Sequence, residues 1–462
     1  MTANAQSKGD YAKLLERLNA LEQKVVTLEG QNKALTDELG QKSQAIETRT
    51  QELADQVEFQ TGRIEKVEVR AAKSAQPGVV PTFADVNGNF TFKVRGVVDA
   101  DYVAFNGGKG GYDFNNGTAF RRARLGFEGT AFKNWGWRIE TDFAGNAVAI
   151  QDAYIQYNGV KKWAFTLGQH KAPFGLESNN SDNYNSFIER SIFTNAIGEA
   201  GAERRLGASA QYVDEAFTVA FGLFGDNESS TRSEAAPDES WGLNARATWE
   251  PVVSDAFNLH VGASGFWRND VKADNTAAAG TLRLRERPNV RVDGGRIIDT
   301  GTITRVNNLY YGGLEATAIA GPFSLTGEYG HLEVDRATGF EDVSFDGLYV
   351  YGSWFLTGES RAFNKGNFDR LKPFAPFDPS AGNWGAFELV ARYDWFDVSD
   401  TPVVANAGNK AETYTLGLNW YFNTNFKAMF NWVHFSGTHT PLDPVGTRTS
   451  GDAFAARLHL DW

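Results

Sequence analysis

From about residue 90 to the end of the chain, apolar and polar residues alternate with a period of two in segment after segment. Clear examples lie at 92–102, 122–128, 243–249, 387–395 and 456–462. A period of two places alternate side chains on opposite faces of a β-strand, so each segment is predicted to be a strand with one apolar and one polar face. The strands of a soluble sandwich alternate in the same way, and the pattern alone leaves both architectures open.

Two further features favour a transmembrane β-barrel. The polar faces carry several charges per strand, which a water-filled lumen tolerates, and the apolar faces often end in tryptophan, as at Trp249 and Trp395. Roughly 380 residues divided into units of about 24 residues give about sixteen strands, enough to enclose an aqueous channel. Short turns such as 422–425 alternate with long polar stretches such as 226–240 and 272–305, as in outer-membrane barrels.

The first part of the chain has a different period. From Tyr11 to Leu53, mostly apolar residues follow one another in steps of three and four, which is the pattern of a coiled-coil seam. Asn32 stands at one seam position, where a polar side chain fixes register and oligomeric state, and a second consecutive step of four leads to Val57. A long amphipathic helix packed on its own domain is the alternative. We expect a coiled coil that reaches roughly 90 Å at 1.5 Å per residue.

Two prolines and a glycine between Pro77 and Pro81 end this helix. The sequence therefore predicts four regions: a flexible N-terminus at 1–9, a coiled coil at 10–74, a linker at 75–87 and a transmembrane β-barrel at 88–462. The fold class is all-β, an antiparallel barrel of about 16 strands preceded by an α-helical coiled coil. The first ten residues lack the apolar core of a secretory signal, so we expect the export signal outside this chain.

Composition excludes several functional classes. The 462 residues include no cysteine, so disulfides, zinc–thiolate sites, iron–sulfur clusters and a cysteine nucleophile are ruled out. With 45 basic and 57 acidic residues the formal net charge is −12, which argues against a nucleic-acid partner. The histidines lack an H-E-x-x-H context, and no Walker loop is present. We expect no cofactor, no metal site and no catalytic residue.

Several segments of the barrel region resemble one family in the order in which they occur. They are the Arg-Arg strand at 120–129, a G-x-x-x-x-x-F-G-L-E segment at 168–177, Phe-Ile-Glu-Arg at 187–190, and the segments 356–359, 385–394 and 416–421. In these residues the chain resembles the phosphate-selective porin O/P family over nearly all of 88–462. The resemblance implies a homotrimer of sixteen-stranded barrels in the outer membrane of a Gram-negative bacterium, in contact with outer-membrane lipid and open to small hydrophilic solutes.

The resemblance also implies an anion path, in which a loop folds into the barrel and narrows the pore. A ladder of arginines leads anions to a lysine cluster, and the matching positions are Arg121 and Arg122, with Arg124 nearby. Alternation independently directs a set of arginines toward the lumen: Arg95, Arg122, Arg124, Arg246, Arg392 and Arg457. Arg121 has the parity of the apolar face, so it is expected at a strand start, a bulge or the rim. Cross-strand ion pairs that stiffen the wall are the alternative role for each arginine.

The predicted constriction loop departs from the family pattern. Residues 178–186 contain no lysine or arginine, whereas the resemblance implies a lysine there. Our candidates for the constriction are Asp182, Asn183 and Tyr184, with Lys171 as the nearest lysine, seven residues before Ser178. Amide and hydroxyl groups suit neutral solutes or a weakly selective pore. The sequence thus predicts a porin for passive diffusion and leaves phosphate selectivity open.

Two other functions remain open at this point. A barrel hydrolase could use a serine–histidine pair on neighbouring strands, and the nearest approach to a nucleophile elbow surrounds Ser209 but ends in Gln211. A structural tether is the main alternative, because a long helix before a barrel is expected to extend into the periplasm and to contact peptidoglycan or another periplasmic component.

Overall fold

The chain consists of two units, Met1–Ser74 and Ala75–Trp462. The computed structural model describes residues 3–74, 82–109, 113–198, 200, 203–225, 239–254, 256–269, 271, 280–403, 410–438 and 448–462; for residues 3–11, 56 and 58–74 it describes only the backbone. Among the described residues, no helix has both the length and the apolar character that crossing a bilayer requires.

The helix α1 runs from Ala3 to Ser74, so the predicted N-terminal helix is confirmed and includes most of the stretch expected to be flexible. Its described apolar seam side chains, from Leu14 to Leu53, are each 50–68 % exposed in the single chain. Lys42, which interrupts the seam, lies 2.8 Å from Glu38 one turn earlier. Tyr11 lies outside the described side chains. The seam is therefore open to a partner helix.

The second unit is a barrel of sixteen antiparallel strands. The strands are β1 Thr91–Lys109, β2 Gly117–Ala131, β3 Trp135–Asp142, β4 Ala149–Tyr157, β5 Trp163–Lys171, β6 Arg204–Val213, β7 Phe217–Phe224, β8 Trp241–Val253, β9 Phe257–Asn269, β10 Val306–Ala320, β11 Phe323–Arg336, β12 Val343–Phe355, β13 Ala386–Asp397, β14 Lys410–Tyr421, β15 Phe426–Thr438 and β16 Arg448–Asp461. A further short strand, Thr82–Ala84, pairs with the start of β1 and occupies part of the predicted linker 75–87.

The last strand closes the barrel on the first. β16 pairs with β1 from Asp461 opposite Val97 to Ser450 opposite Lys109. Trp462 extends this pairing, because its backbone exchanges two hydrogen bonds with Gly96, at 3.1 and 3.0 Å. Closure removes the free edges that an open sheet would present. The prediction of a closed antiparallel barrel of about sixteen strands is confirmed.

The two faces of the barrel wall differ as the alternation predicts. Outward-facing side chains such as Leu314, Leu325 and Leu458 are 64, 58 and 53 % exposed, and they form an apolar outer surface. Inward-facing side chains such as Glu388 and Asp394 are polar and fully buried. The wall therefore matches a lipid environment outside and a polar lumen inside.

Short connections lie on one rim of the barrel and long ones on the other. The short turns are 132–134, 158–162, 214–216, 254–256, 321–322 and 422–425, and the long loops include 172–203, 225–240 and 270–305. The connection 356–385 is an exception, because it is long and belongs to the rim of the short turns. β1 begins and β16 ends on that same rim, so both ends of the barrel lie there.

The long loop 172–203 is packed inside the barrel, and the wall makes room for it. The loop contains two short helices, α2 at Leu176–Asn179 and α3 at Ile192–Ile197, and α3 places Phe193 against two glycines of the inner wall. A Cβ added at Gly347 on β12 would lie 2.2 Å from the Phe193 ring, and one added at Gly330 on β11 would lie 2.5 Å from it. Phe193 also packs against Phe396, with ring centroids 6.0 Å apart. The glycines thus form a socket that seats the loop.

We expect Gly347→Ala to displace Phe193 and loosen the loop while the barrel still forms. Overpacking of this kind costs about 1–3 kcal/mol, so the free energy of unfolding in detergent should fall by that amount. Gly352→Ala on the same strand is the matched control, because a Cβ there meets its nearest atom at 3.8 Å. Equal denaturant midpoints for the two variants would contradict the socket.

Candidate functional site

The loop 172–203 crosses the lumen. Wall side chains hold it in place by accepting hydrogen bonds from its backbone N–H groups. Glu328 on β11 accepts the first two N–H groups of α2, Leu176–Asn179, at 2.9 and 2.6 Å. Asn431 on β15 and Asp394 on β13 each accept one further amide, at 2.9 and 2.6 Å. Backbone groups that leave water need such partners. The loop is therefore a fixed partition inside the barrel.

Lys171 reaches this loop although it lies seven residues before Ser178. It is the last residue of β5, and its ammonium donates to the carbonyl oxygens of Ser178 and Asn180, at 2.8 and 2.5 Å. The chain turns back over the end of β5, which brings the loop onto the lysine. Two of the three ammonium protons are therefore engaged by the loop backbone.

The carboxylate of Asp182 lies among three arginines. Its Oδ2 accepts from Arg124 at 2.9 Å and from Arg122 at 3.2 Å, and Arg190 Nη2 lies 2.5 Å from its Oδ1. Burial by itself raises the pKa of this carboxyl. The charges of Arg122, Arg190 and Arg124 outweigh burial and hold the pKa of Asp182 well below its usual value. The side chain therefore stays ionised.

Asn183 and Tyr184, the other constriction candidates, face the end of β16 and the inserted connection 356–385. The Asn183 amide donates to Asp461 at 3.1 Å, and the guanidinium of Arg370 lies over the Tyr184 ring at 5.5 Å. Both side chains thus help to join the loop to the wall.

Glu189 is the second carboxylate on which arginines converge. It accepts from Arg121 at 2.7 Å, from Arg291 at 3.1 Å and from Arg457 at 3.2 Å. Arg121 lies where the pairing of β1 and β2 shifts between Asp99 and Ala100, so it occupies a bulge, one of the three positions that its parity left open. The bulge turns Arg121 from the outer face toward the lumen.

The predicted pore-lining arginines all lie on the inner side of the barrel, and each has a carboxylate partner. Besides the contacts of Arg121 with Glu189, the pairs are Arg95–Glu140 (2.7 Å), Arg122–Asp99 (2.7 Å), Arg124–Asp142 (2.9 Å), Arg246–Glu315 (2.5 Å), Arg392–Glu177 (3.4 Å) and Arg457–Asp101 (2.6 Å). All but Arg95 and Arg121 are at most 9 % exposed. Their positive charge is thus largely balanced inside the wall.

The connection 356–385 enters the lumen from the opposite rim, which the sequence did not indicate. Arg361 donates to Glu388 at 2.9 Å, to the carbonyl of Tyr184 at 2.5 Å and to the hydroxyl of Ser186. The amide of Phe368 donates to the side chain of Asn180 at 2.9 Å. The two inserted segments therefore meet inside the barrel.

A cavity of about 280 Å³, called the chamber below, remains between the loop 172–203 and the wall of β1 to β7. Its charged lining residues are the cations Arg95, Arg124, Arg138, Lys171 and Arg204 and the carboxylates Glu140, Asp152 and Asp182. Arg138 and Arg204 were missed from the sequence. Arg138 stands between Trp137 and Ile139, so its parity could have placed it in the lumen.

Ser209 lines the chamber too, on β6. Its hydroxyl lies 2.7 Å from Nε2 of His170, whose Nδ1 lies 2.9 Å from the carbonyl oxygen of Gly168. The two strands are neighbours, so the pair joins them across the inner wall. A carbonyl, rather than a carboxylate, orients this imidazole.

Comparison with known proteins yields one family. The family model described as phosphate-selective porin O and P matches residues 92–462. Porin O of Pseudomonas aeruginosa is 29 % identical over 81 % of this chain and 89 % of that protein, and an uncharacterised protein of Caulobacter vibrioides is 31 % identical over 81 % of this chain and 75 % of that protein.

Solved structures with a similar fold include the outer membrane channel DcaP of Acinetobacter baumannii, at 13 % identity and a TM-score of 0.49, covering 82 % of this chain and 99 % of that one. An anion-selective porin of Comamonas acidovorans matches at 13 % identity and a TM-score of 0.45, covering 80 % of this chain and 100 % of that one.

The family match spans the whole barrel, from the first residues of β1 to Trp462. It agrees with a closed sixteen-stranded barrel that has an apolar outer face and a polar lumen. The protein is an outer-membrane channel for small hydrophilic solutes rather than an enzyme, and the chain belongs to the phosphate-selective porin O and P family.

Proposed function

We propose that this porin favours anions modestly, admits phosphate among them, and conducts them through the chamber. The observation that carries the proposal is the charge of the chamber lining, where four guanidiniums and the amine of Lys171 face three carboxylates. Fixed charge in a narrow pore biases which ions enter, because the surrounding wall has a low dielectric constant and focuses the field. A surplus of cations therefore favours anions.

The ion pairs in the wall argue for a modest preference. Arg138 lies 2.8 Å from Glu128 and 3.6 Å from Asp152, and Arg204 lies 2.8 Å from Asp152. Arg95 lies 2.8 Å from Glu128. A paired guanidinium presents a weaker field to a passing ion than a free one does, since the partner carboxylate has the opposite sign.

Arg95 and Arg138 are the arginines that a permeating ion would meet first. Their side chains are 18 and 29 % exposed, whereas that of Arg122 is 4 % exposed. Arg122, part of the ladder that the family resemblance implies, is enclosed between Asp99 and Asp182. The exposed pair on β1 and β3 is therefore the better candidate for ion selection.

The double variant Arg95→Gln, Arg138→Gln should shift the pore toward cations, because Glu128 is then left with the more distant Lys93, at 3.5 Å, and Glu140 with Arg124, at 3.8 Å. We expect the anion-to-cation permeability ratio to fall roughly two- to fivefold. The measurement is the reversal potential of the purified channel in a planar bilayer under an about tenfold KCl gradient at low ionic strength, where screening is weakest.

Arg246→Gln is the control, since it removes one buried lumen arginine, the partner of Glu315, that does not line the chamber. Its reversal potential should stay close to that of the parent channel. An unchanged potential in the double variant, or an equal shift in the control, would assign Arg95 and Arg138 to wall stability alone.

We also propose that α1 joins three copies of the chain through a parallel coiled coil. The exposed seam supports self-association, and Asn32 would face its own counterparts in a parallel register. Charges beside the seam support the parallel direction. Glu22 lies five positions after Arg17, and Glu29 five positions after Lys24, which is the spacing at which neighbouring parallel helices form ion pairs.

The barrel topology supports a periplasmic position for this coiled coil. β1 begins on the rim of the short turns, and in outer-membrane barrels that rim faces the periplasm. Contact of the helix with peptidoglycan would give the protein a second role as a tether between the outer membrane and the cell wall.

Adjacent valines of α1 test the coiled coil. Val25 belongs to the seam and Val26 does not, although they are 50 and 68 % exposed in the single chain. Val25→Asp would place one charged side chain from each chain in the core of the coiled coil. We therefore expect the melting temperature of the helix to fall by more than about 10 °C, as measured by circular dichroism of the full chain. Val26→Asp should leave it within a few degrees. Equal effects of the two variants would rule out this seam.

A further inference from the structure

We propose that Asp182 is the channel's own tethered anion: its carboxylate occupies an oxyanion-binding cluster formed by Arg122, Arg124 and Arg190, and so determines how tightly the pore binds a passing oxyanion. The ligand class is a small carboxylate or phosphate-like anion. The inference rests on the proposed anion path, because it concerns ions that reach the chamber.

The geometry around Asp182 is that of a bound oxyanion. Arg124 and Arg122 donate to one oxygen at 2.9 and 3.2 Å, and Arg190 lies 2.5 Å from the other. The three guanidiniums come from two places in the chain, two from β2 and one from the inserted loop. Several guanidiniums directed at one pair of oxygens are the usual recognition of a carboxylate or phosphate.

The cluster remains built when the Asp182 carboxylate is removed, because each arginine has another anchor. Arg122 retains Asp99 at 2.7 Å, and Arg124 retains Asp142 at 2.9 Å. Arg190 retains the carbonyl oxygen of Glu177, to which it donates at 3.0 Å. The donors would therefore stay in place around an unoccupied anion site.

The cluster adjoins the permeation path. Asp182, Arg124 and Lys171 all line the chamber, so an anion in the chamber can reach the position of the carboxylate. The turn Asp182–Tyr184 that carries the carboxylate is fixed by Ser181, whose side chain accepts from the amide of Asn183. In the native channel the Asp182 carboxylate therefore occupies the arginine cluster, and passing anions cannot bind there.

A purely mechanical role is the competing explanation, in which Asp182 only ties the loop to β2. The two roles differ in what a small anion does after the side chain is shortened. A stiffening ion pair is not restored by a free anion, whereas a binding site emptied of its carboxylate accepts one and gains stability from it.

The experiment compares the full-length parent, Asp182→Ala and Asp101→Ala in detergent and in planar bilayers. Asp101 is a buried lumen carboxylate that pairs with Arg457, and Arg457 retains Glu189, so this control removes the same charge elsewhere. We expect sodium acetate or phosphate, against equal ionic strength of a bulky anion, to raise the melting temperature of Asp182→Ala only.

In bilayers, phosphate should inhibit the chloride current of Asp182→Ala at a concentration about tenfold lower than for the parent, because the vacated cluster binds it. If Asp182→Ala fails to fold, Asp182→Asn, which keeps the side-chain shape, provides the current measurement. No gain in phosphate inhibition, or the same gain in Asp101→Ala, would overturn the proposal.

These outcomes are separate from those of the proposed anion preference. Phosphate inhibition reports binding at Asp182, whereas the reversal potential of the Arg95 and Arg138 variant reports selection in the chamber. A gain of inhibition with an unchanged reversal potential would support the tethered anion and contradict the proposed selection by Arg95 and Arg138.

Discussion

Sixteen strands enclose more space than their own inward side chains can fill, and this constraint governs the interior. The lumen is instead occupied by inserted segments, above all 172–203 and 356–385. Every backbone N–H group of these segments that is buried away from water needs a hydrogen-bond acceptor. Glu328 and Asp394 on the wall supply acceptors of this kind, so these two acidic side chains anchor the loop 172–203.

The same requirement makes the proposed anion preference compatible with a net charge of −12. A buried guanidinium is costly without a carboxylate partner, and most lumen arginines have one. The acidic excess therefore says little about the ions that pass, because paired charges cancel over a short distance. What counts is the small set of side chains that borders the open chamber.

Period-two alternation was sufficient to predict the strands and the inward direction of the wall arginines. It also showed that Arg121 does not follow the regular alternation of its strand. It could not locate arginines carried by connections, such as Arg190, Arg291 and Arg361, because a loop has no fixed period from which a side-chain direction follows. For the same reason the reach of Lys171 was not predictable: its contacts depend on the path of the loop after β5. The entry of 356–385 from the short-turn rim likewise depends on tertiary packing against β13 and the loop 172–203.

The position of Asp182 connects these points. The resemblance implies a lysine in this loop, and the chain has an aspartate there instead, while the arginines of β2 are retained. A lysine would add to the field of Arg122 and Arg124, whereas an aspartate cancels part of it at a distance of about 3 Å, where Coulomb interactions are strongest. Under the proposed role of Asp182, a single loop residue sets the balance between binding an anion and letting it pass, while the barrel and its arginine wall remain unchanged.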